Sequence, residues 1–253
     1  MDFPTVKELR TLVANRLLGG TRVLSAASAL KWALFPTLAR YAPRVAIWCH
    51  EPESTKAFWD RLGPGMTVVD GGSNRGGYAM LASLRVGPTG RVFAFEPEPR
   101  NFERLERRLR RFPNVTAVRQ AITGTNGSAR LNLDTFHAGH SLVRQPATGS
   151  SSMSVPTTTL DAFVQQKALA GIDVLKLDIE GSELEAVPGM AGLLGGARRP
   201  VILCEVHAPI TPEQMALALR PFEYECKLLD ARMTGKPHEA PVHLMACPSP
   251  LRP

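Results

Sequence analysis

The 253-residue chain has few aromatic side chains, 6% of the total, and only four cysteines. The cysteines stand at positions 49, 204, 226 and 247, without the C-x-x-C spacing that zinc sites and redox pairs use. We therefore expect free thiols in a reducing, cytoplasmic compartment. The most apolar early stretch, 23–38, is interrupted by Lys31 and Pro36 and is too short to cross a bilayer. The opening MDFPTVKELR, with an acid and a proline, predicts no secretory signal.

The sequence also lacks two common phosphate-binding motifs. The glycine-rich segment 71–77 follows an apolar run, but its glycines do not have the G-x-G-x-x-G spacing of a dinucleotide loop. A P-loop needs lysine after its last glycine, and Tyr78 stands there instead. An acid, Asp70, precedes the segment. An acid beside a turn that ligands can approach closely suits a positively charged group, such as a sulfonium that bears an amino acid.

Basic residues outnumber acidic ones by 30 to 23, which gives a net charge of +7. Many of the arginines fall on one predicted helix, 100–111, where Glu103 and Glu106 are interleaved at helical spacings. This pattern favours a solvated helix face. The alternative is an anion-attracting surface for nucleic acid, and no zinc-finger or RNA-recognition signature supports it.

Hydrophobic patterning divides the chain at about residue 62. Residues 1–62 predict a helical accessory segment, with helices around 5–17, 23–39 and 52–62. In residues 63–253, short β-branched runs alternate with helical stretches, which predicts an α/β fold with a parallel sheet and crossover helices. The runs are 67–70, 91–96, 115–120, 174–178 and 201–206. Two later runs, 225–230 and 242–247, are joined by a stretch too short for a crossover helix and predict an antiparallel pair.

An insertion at 129–159 interrupts the alternation. It predicts a strand at 129–134, a Gly-, Ser- and His-rich loop at 137–152, and a second short strand before a helix that begins at Leu160. His137 and His140 in this loop are candidates for contact with a substrate, or are merely exposed.

Acids at the ends of two successive predicted strands indicate a nucleoside site. Glu96 follows Asp70 by 26 residues and ends the second strand. In a doubly wound sheet, an acid there can accept hydrogen bonds from both ribose hydroxyls, since a carboxylate offers two oxygens.

Five motifs occur in an order that carries a family resemblance. They are a D-x-G-x-N-x-G turn from Asp70, an F-E-P-x-P-x-N-F run from Phe95, an L-D-x-F step from Leu160, a K-L-D-I-E-G-x-E run from Lys176, and the E-x-H pair of Glu205 and His207. Together they resemble the FkbM family of S-adenosylmethionine-dependent methyltransferases over about residues 65–209.

The resemblance implies the class I methyltransferase fold, a Rossmann-like sheet of seven strands whose last strand is antiparallel, and methylation of a hydroxyl oxygen. It implies that the turn after Asp70 faces the methionine part of S-adenosylmethionine, that Glu96 binds the ribose, and that residues 120–122 lie beside the adenine. The implied cofactor-binding residues are Asp70, Gly72, Asn74, Glu96, Pro97, Ala121, Ile122 and Asp178.

Two further acids are predicted to converge where a methyl acceptor would lie. Asp178 ends the 174–178 run and Glu205 lies near the end of its neighbour, 201–206. A hydroxyl is a poor nucleophile at neutral pH, so a general base or a metal must stabilise the developing alkoxide. Because Mg²⁺ prefers carboxylate oxygens, Asp178 and Glu205 are the candidate metal ligands.

Four candidate catalytic residues follow from this arrangement: His207, Asp178, Glu205 and Glu180. His207 could be a base, a metal ligand or a histidine satisfied in the loop after the strand. We place Glu180 in the site and Glu183 in the first turn of the following helix, where the helix dipole favours an anion. Lys176 could orient a carboxylate or could be a buried strand lysine with an acidic partner.

The sequence therefore predicts an S-adenosylmethionine-dependent O-methyltransferase, assisted by Mg²⁺, that acts on a sugar, an oligosaccharide or a saccharide-bearing metabolite. The polar insertion and scarcity of aromatic residues favour such an acceptor over a flat one, which requires apolar walls. The alternatives are a polyketide or other natural product, and nucleic acid bound by the arginine-rich helix. A homodimer is the expected assembly.

Overall fold

The computed structural model describes residues 33–49, 52–133, 141–142, 151–229 and 241–249. Three helices come first: α1 covers 33–41, α2 covers Pro43–Cys49 and α3 covers Pro52–Arg61. Helix α3 matches the prediction for 52–62, whereas α2 was not predicted. The helix expected at 5–17 lies outside the described residues. Among the described helices, none has the length and apolar character needed to cross a membrane.

The remaining elements alternate as the sequence predicts. The strands are β1 (Thr67–Gly71), β2 (Arg91–Phe95), β3 (Val115–Val118), β4 (Ala121–Ile122), β5 (Gly127–Asn132), β6 (Ser152–Thr158), β7 (Val174–Leu177), β8 (Val201–Val206), β9 (Tyr224–Leu228) and β10 (Val242–Pro248). The helices are α4 (Gly77–Val86), α5 (Pro99–Leu109), α6 (Leu160–Gln166), α7 (Glu183–Ala186), α8 (Ala191–Gly195) and α9 (Pro212–Leu219).

Seven strands form the main sheet in the order β3-β2-β1-β7-β8-β10-β9. Strands β1, β2, β3, β7 and β8 pair in parallel, and β10 inserts antiparallel between β8 and β9. The predicted fold class, a mostly parallel class I methyltransferase sheet with an antiparallel last strand, is confirmed. The chain order reverses between β1 and β7, and such a switch point is where open α/β sheets bind ligands.

The insertion forms a second sheet that the sequence analysis did not anticipate. Strand β5 pairs antiparallel with β6, and the two-residue strand β4 pairs with the other side of β6. The predicted strand at 129–134 begins two residues earlier, at Gly127, and ends at Asn132. Leu131, Val155 and Ala121 form a small apolar cluster of their own. Strand β4 follows β3 closely in the chain, so the pairing of β4 with β6 connects the strands of the insertion to the end of β3.

Two hydrophobic clusters cover opposite faces of the main sheet. Alternate residues of a strand point to opposite faces, so Val69 and Leu175 belong to one cluster, and Val68 and Val174 to the other. The second cluster also contains residues of the N-terminal helices, Phe35, Ala39, Ala46, Ile47, Phe58 and Leu62. Helices α1–α3 therefore pack against the same face as α4. The domain boundary at residue 62 stays a prediction.

Helix α5 places its apolar residues inward and its charges outward. Glu98 caps it by accepting hydrogen bonds from the amides of Arg100 and Asn101, at 3.1 and 2.6 Å. Leu105 and Leu109 are buried, whereas most of the arginines are exposed. The prediction of a solvated face holds for these exposed arginines.

Two glycines with similar backbone conformations, Gly72 and Gly87, differ in how close a neighbouring strand comes to them. Gly72 has a positive φ of 75°, and a Cβ there would lie 1.8 Å from the carbonyl oxygen of Asp178. Gly87 has a similar φ of 69° with nothing within 4 Å of its Cβ position. We expect Gly87→Ala to cost about 1 kcal/mol of unfolding free energy, from backbone strain alone. Gly72→Ala should cost at least about 2 kcal/mol more, because the backbones must separate.

Urea unfolding of both variants and the wild type measures this difference. Equal losses would mean that the β1 turn and the end of β7 are not in contact.

Candidate active site

The candidate site lies where the carboxyl ends of four neighbouring strands meet. Asp70 is on β1, Glu96 follows β2, and Asp178 follows β7. Glu205 is on β8, and His207 comes directly after that strand. Because these strands are parallel neighbours, their ends bring residues that are far apart in sequence to one edge of the sheet.

The glycine turn after β1 has the left-handed backbone that its sequence requires. Gly72, Asn74 and Gly76 have φ values of 75°, 45° and 79°. The amide of Ser73 donates to the carbonyl of Phe95 at 2.8 Å, and its hydroxyl donates to the carbonyl of Asp70 at 2.8 Å. The turn is therefore fastened both to β1 and to the end of β2.

Glu96 is buried, with 6% of its surface exposed, and each of its oxygens accepts a backbone hydrogen bond. The Asn74 amide donates to Oε2 at 3.0 Å and the Glu98 amide donates to Oε1 at 3.1 Å. Burial raises the pKa of Glu96 to about 7, although these two hydrogen bonds act in the opposite direction. Each carboxylate oxygen keeps a second lone pair for a ligand donor.

A pocket of about 620 Å³, including its solvent-open part, adjoins Glu96. Its walls come from the main sheet, the second sheet and the β7–α7 turn: Gly72, Asn74, Phe95, Glu96, Pro97, Asn101, Gln120, Ala121, Ile122, Leu131, Leu142, Asp178, Ile179 and Glu180. Seven of the eight residues expected at the cofactor line this pocket, and Asp70 is the exception.

Asp70 lies beneath the turn, 1% exposed. Its Oδ2 accepts a hydrogen bond from the amide of Ala79 at 3.1 Å, in the first turn of α4. Its Oδ1 lies 3.7 Å from Nζ of Lys176. Burial raises the pKa of Asp70, and the charge of Lys176 opposes that rise. The geometry thus gives Asp70 a supporting position behind the turn, and its contact with a cofactor stays a prediction.

His207 is surrounded by carboxylates. Its Nδ1 lies 3.1 Å from Oε1 of Glu183. Its Nε2 lies 3.7 Å from Oδ1 of Asp178, 3.6 Å from Oε2 of Glu180 and 3.8 Å from Oε1 of Glu205. All four predicted catalytic residues, His207, Asp178, Glu205 and Glu180, therefore meet around one imidazole nitrogen.

The carboxylates control the charge of this imidazole. Burial alone would lower the pKa of His207, but the hydrogen bond that its imidazole donates to Glu183 and the charges of Asp178 and Glu180 outweigh burial and raise the pKa to about 9. His207 is therefore protonated at neutral pH when no other cation is present. A protonated imidazole cannot accept another proton. His207 could therefore act as a base only if another cation among the carboxylates let the imidazole become neutral.

Glu183 makes a contact in the site that its predicted place in the first turn of a helix does not reveal. It does begin α7 as expected, but it is 0% exposed and contacts His207. Its Oε1 also accepts from the amides of Ile179 and Gly181, at 3.2 and 3.1 Å. Its signal in the sequence was its place in the same K-L-D-I-E-G-x-E run as Asp178 and Glu180.

The structure bears out one of the two predicted alternatives for Lys176 and leaves the other, orienting a carboxylate, as a prediction. Lys176 is a buried strand lysine, and its Nζ lies 2.9 Å from Oδ2 of Asp178. Burial would lower the pKa of Lys176, yet Asp178 and Asp70 raise it above its ordinary value. The ammonium is therefore charged.

One group of side chains in the described part of the chain could hold a metal ion: Asp178, Glu180 and His207. One ligand atom from each lies within 4.8 Å of the others. If Nδ1 of a neutral His207 donates its hydrogen bond to Glu183, Nε2 is left as the ligand atom, a common arrangement behind metal-binding histidines. Glu205, predicted as a ligand with Asp178, is outside this group, and its Oε2 lies 3.5 Å from Nε2 of His243.

The second sheet reaches the site through a short described segment. The hydroxyl of Ser141 donates to the carbonyl of Glu180 at 2.6 Å, and Leu142 lines the pocket. The predicted substrate residues His137 and His140 lie outside the described residues.

Two known methyltransferases are similar in sequence to part of the chain. Over 151 residues, the chain is 29% identical to hexuronic acid methyltransferase AglP of Haloferax volcanii, covering 59% of each chain. It is 26% identical to 2-O-methyltransferase NoeI of Sinorhizobium fredii, over 50% of this chain and 58% of that protein. The chain thus spans under two thirds of the length of both relatives.

Among solved structures, an FkbM methyltransferase from Methylobacillus flagellatus KT resembles this chain with a TM-score of 0.49 and 16% identity. The similarity covers 81% of this chain and 60% of that one. The sequence model of the methyltransferase FkbM domain matches residues 70–228, from the acid of β1 to the end of β9. The chain therefore belongs to the FkbM methyltransferase family.

Proposed function

We propose that this protein transfers the methyl group of S-adenosylmethionine to a hydroxyl of a saccharide or a saccharide-bearing metabolite. The observation that carries the proposal is the adjacency of the Glu96 pocket to the cluster of acids around His207. The proposed nucleoside pocket and the proposed acid–base cluster share Asp178 and Glu180.

In the proposed complex, the adenosyl part occupies the pocket beside Glu96. The ribose hydroxyls donate to the two carboxylate oxygens, and Ala121 and Ile122 pack beside the adenine. The turn at Gly72 and Asn74 faces the methionine part. The methyl group then points toward Asp178 and Glu180, which line the pocket at the end of β7.

In the proposed reaction, the acceptor oxygen attacks the methyl carbon in line with the carbon–sulfur bond, which breaks to leave S-adenosylhomocysteine. The hydroxyl proton passes to a carboxylate of the cluster, Asp178 or Glu180, both of which would face the acceptor from the β7 side. His207 is held by Glu183 at Nδ1, so Nε2 is the atom turned toward the transfer.

The donor set of the cluster fits a divalent cation. Two carboxylates and one imidazole nitrogen would be supplied by Asp178, Glu180 and His207, with Glu183 orienting the imidazole. A bound cation would lower the pKa of the acceptor hydroxyl. Because Mg²⁺ prefers oxygen ligands only, Mn²⁺ is to be tested beside the Mg²⁺ that the sequence suggests.

A saccharide acceptor is supported by the names of two relatives, one a hexuronic acid methyltransferase and the other a 2-O-methyltransferase. Methyl transfer from radiolabelled S-adenosylmethionine to a panel of acceptors tests it. The panel comprises hexuronic acid glycosides, neutral glycosides, a polyketide and an RNA. Transfer to a glycoside is the expected result, and transfer confined to the polyketide or the RNA would overturn the acceptor class.

Nucleic acid is included because arginines crowd one another beside the cofactor turn. Burial and the charge of Arg104 lower the pKa of Arg75, and burial together with Arg75, Arg104 and Arg107 lowers that of Arg108. Several like charges close together would favour an anionic ligand. RNA bound there would dissociate steeply with rising salt, whereas a saccharide complex would hardly respond.

Asp178→Asn tests the acid cluster. The amide keeps the shape of the side chain but removes its charge, so turnover should fall by at least about a hundredfold. The dissociation constant of S-adenosylmethionine should rise far less than turnover falls, because Asp178 is only one of the pocket residues and Glu96 and the turn are untouched. Steady-state kinetics and calorimetric titration measure the two quantities. Glu185→Gln, an exposed carboxylate on α7, is the matched control and should change neither.

The same assay tests the cation. Excess EDTA should abolish turnover and added Mg²⁺ or Mn²⁺ should restore it. Full activity in EDTA would remove the cation from the mechanism while leaving the role of Asp178 standing.

The raised pKa of Glu96 predicts a pH dependence of cofactor affinity. Only the ionised carboxylate accepts from both ribose hydroxyls, so affinity should be highest above pH 7. Below that pH, protonation should raise the dissociation constant by up to about tenfold per pH unit. Titrations between pH 5 and about pH 9 measure the effect. Glu96→Gln should weaken binding and flatten the profile between pH 5 and 7, and Glu103→Gln on the exposed face of α5 should retain it.

A further inference from the structure

Lys176 is a buried charge at the centre of the two strands that build the site. It stands on β7 directly opposite Asp70 of β1, and its side chain is 4% exposed. Its Nζ lies 2.9 Å from Oδ2 of Asp178 and 3.7 Å from Oδ1 of Asp70. The Lys176 ammonium thus interacts both with Asp70, beneath the glycine turn, and with Asp178, which faces the predicted acceptor.

The contact decides which oxygen of Asp178 faces the site. Lys176 donates to Oδ2, so that oxygen is turned toward the core. The other oxygen, Oδ1, is the one that lies 3.7 Å from Nε2 of His207. Since Asp178 follows the last residue of β7, the strand alone does not fix its side-chain rotamer. The bond from Lys176 supplies that constraint.

The ammonium is in turn held by Tyr78 of α4. The centre of the Tyr78 ring lies 4.7 Å from Nζ, a cation–π distance. The Tyr78 hydroxyl lies 3.0 Å from Oγ of Ser54 and accepts a hydrogen bond from Oγ1 of Thr55 at 3.3 Å. Both partners are buried residues of α3. A continuous path of contacts therefore runs from α3 through Tyr78 and Lys176 to Asp178.

We propose that Lys176 is a positioning residue that aims Asp178 at the acceptor, and that helix α3 supports it through Tyr78. This inference rests on the proposed function, since Asp178 must act in methyl transfer for its aim to matter. It gives part of the N-terminal helical segment a task in the reaction beyond covering the core.

The competing explanation is that Lys176 only neutralises buried carboxylates and thereby stabilises the fold. Replacing Lys176 alone does not separate the two explanations, because it leaves the buried Asp70 without its charged partner and destabilises the fold in either case. Replacing Lys176 and Asp70 together removes one charge of each sign. Asp70→Asn keeps an oxygen that can accept from the Ala79 amide.

The test compares Asp70→Asn with the double variant Asp70→Asn/Lys176→Met. The two proteins differ only in the group that bonds Asp178. If Lys176 positions Asp178, the double variant should show a kcat at least about tenfold lower, with the KM of the acceptor and the dissociation constant of S-adenosylmethionine each within about threefold. Equal kcat values in two folded proteins would overturn the proposal.

A crystal structure of the double variant gives a readout that needs no acceptor. The carboxylate of Asp178 should turn away from its place beside His207. A wild-type protein that transfers no methyl group, together with a displaced Asp178, would refute the proposed function while keeping the structural role of Lys176. An undisplaced Asp178 would refute that role whatever the activity.

Tyr78→Phe tests the link to α3. The variant keeps the ring over Lys176 and loses the hydroxyl that contacts Ser54 and Thr55. We expect a lower kcat, with a smaller loss than for the double variant, at unchanged cofactor affinity. A wild-type kcat would remove α3 from the path.

Discussion

The site depends on an ion triad at two parallel strands, in which Lys176 and Asp70 are buried and Asp178 is partly exposed. Lys176 stands in register with Asp70, and its ammonium also bonds Asp178. Buried charges are tolerated only when they are paired, because desolvation of each one alone costs several kcal/mol. The folded position of Lys176 therefore depends on both of its acidic partners. Their pairing joins the base of the glycine turn to the acid at the end of β7, so the two halves of the site cannot be arranged independently.

The backbone reinforces this coupling. Gly72 approaches the carbonyl of Asp178 so closely that no side chain would fit between them. The pocket beside Glu96 and the acid cluster around His207 thus meet at this pair of strands, with Asp178 and Glu180 common to both. Small movements of the turn would be felt at Asp178, since packed interiors transmit displacement with little loss. A methyl donor and acceptor that must align along one bond axis benefit from such rigidity.

Sequence patterns predicted the sheet and the strand ends well, for physical reasons. Buried parallel strands need β-branched runs, and ligands collect at their carboxyl ends, so Glu96 and Asp178 could be located without coordinates. Both longer strands of the second sheet were predicted, whereas β4 was missed because it has only two residues, Ala121 and Ile122, too few to show a period. The role of Glu183 was missed because an acid in the first turn of a helix is already explained by the dipole. Its contact with His207 depends on the fold bringing β8 beside that turn.

The electrostatics of the cluster also bear on turnover under the proposed function. Asp178, Glu180, Glu183 and Glu205 surround His207, with Lys176 the nearby lysine that bonds one of them. The excess of negative charge favours a ligand with a positive group, and the sulfonium of S-adenosylmethionine is one. Methyl transfer converts the sulfonium into a neutral thioether, so the attraction disappears at the moment the reaction is complete. The same carboxylates that draw the donor in would then hold the product less tightly, and binding and release would follow from a single charge distribution.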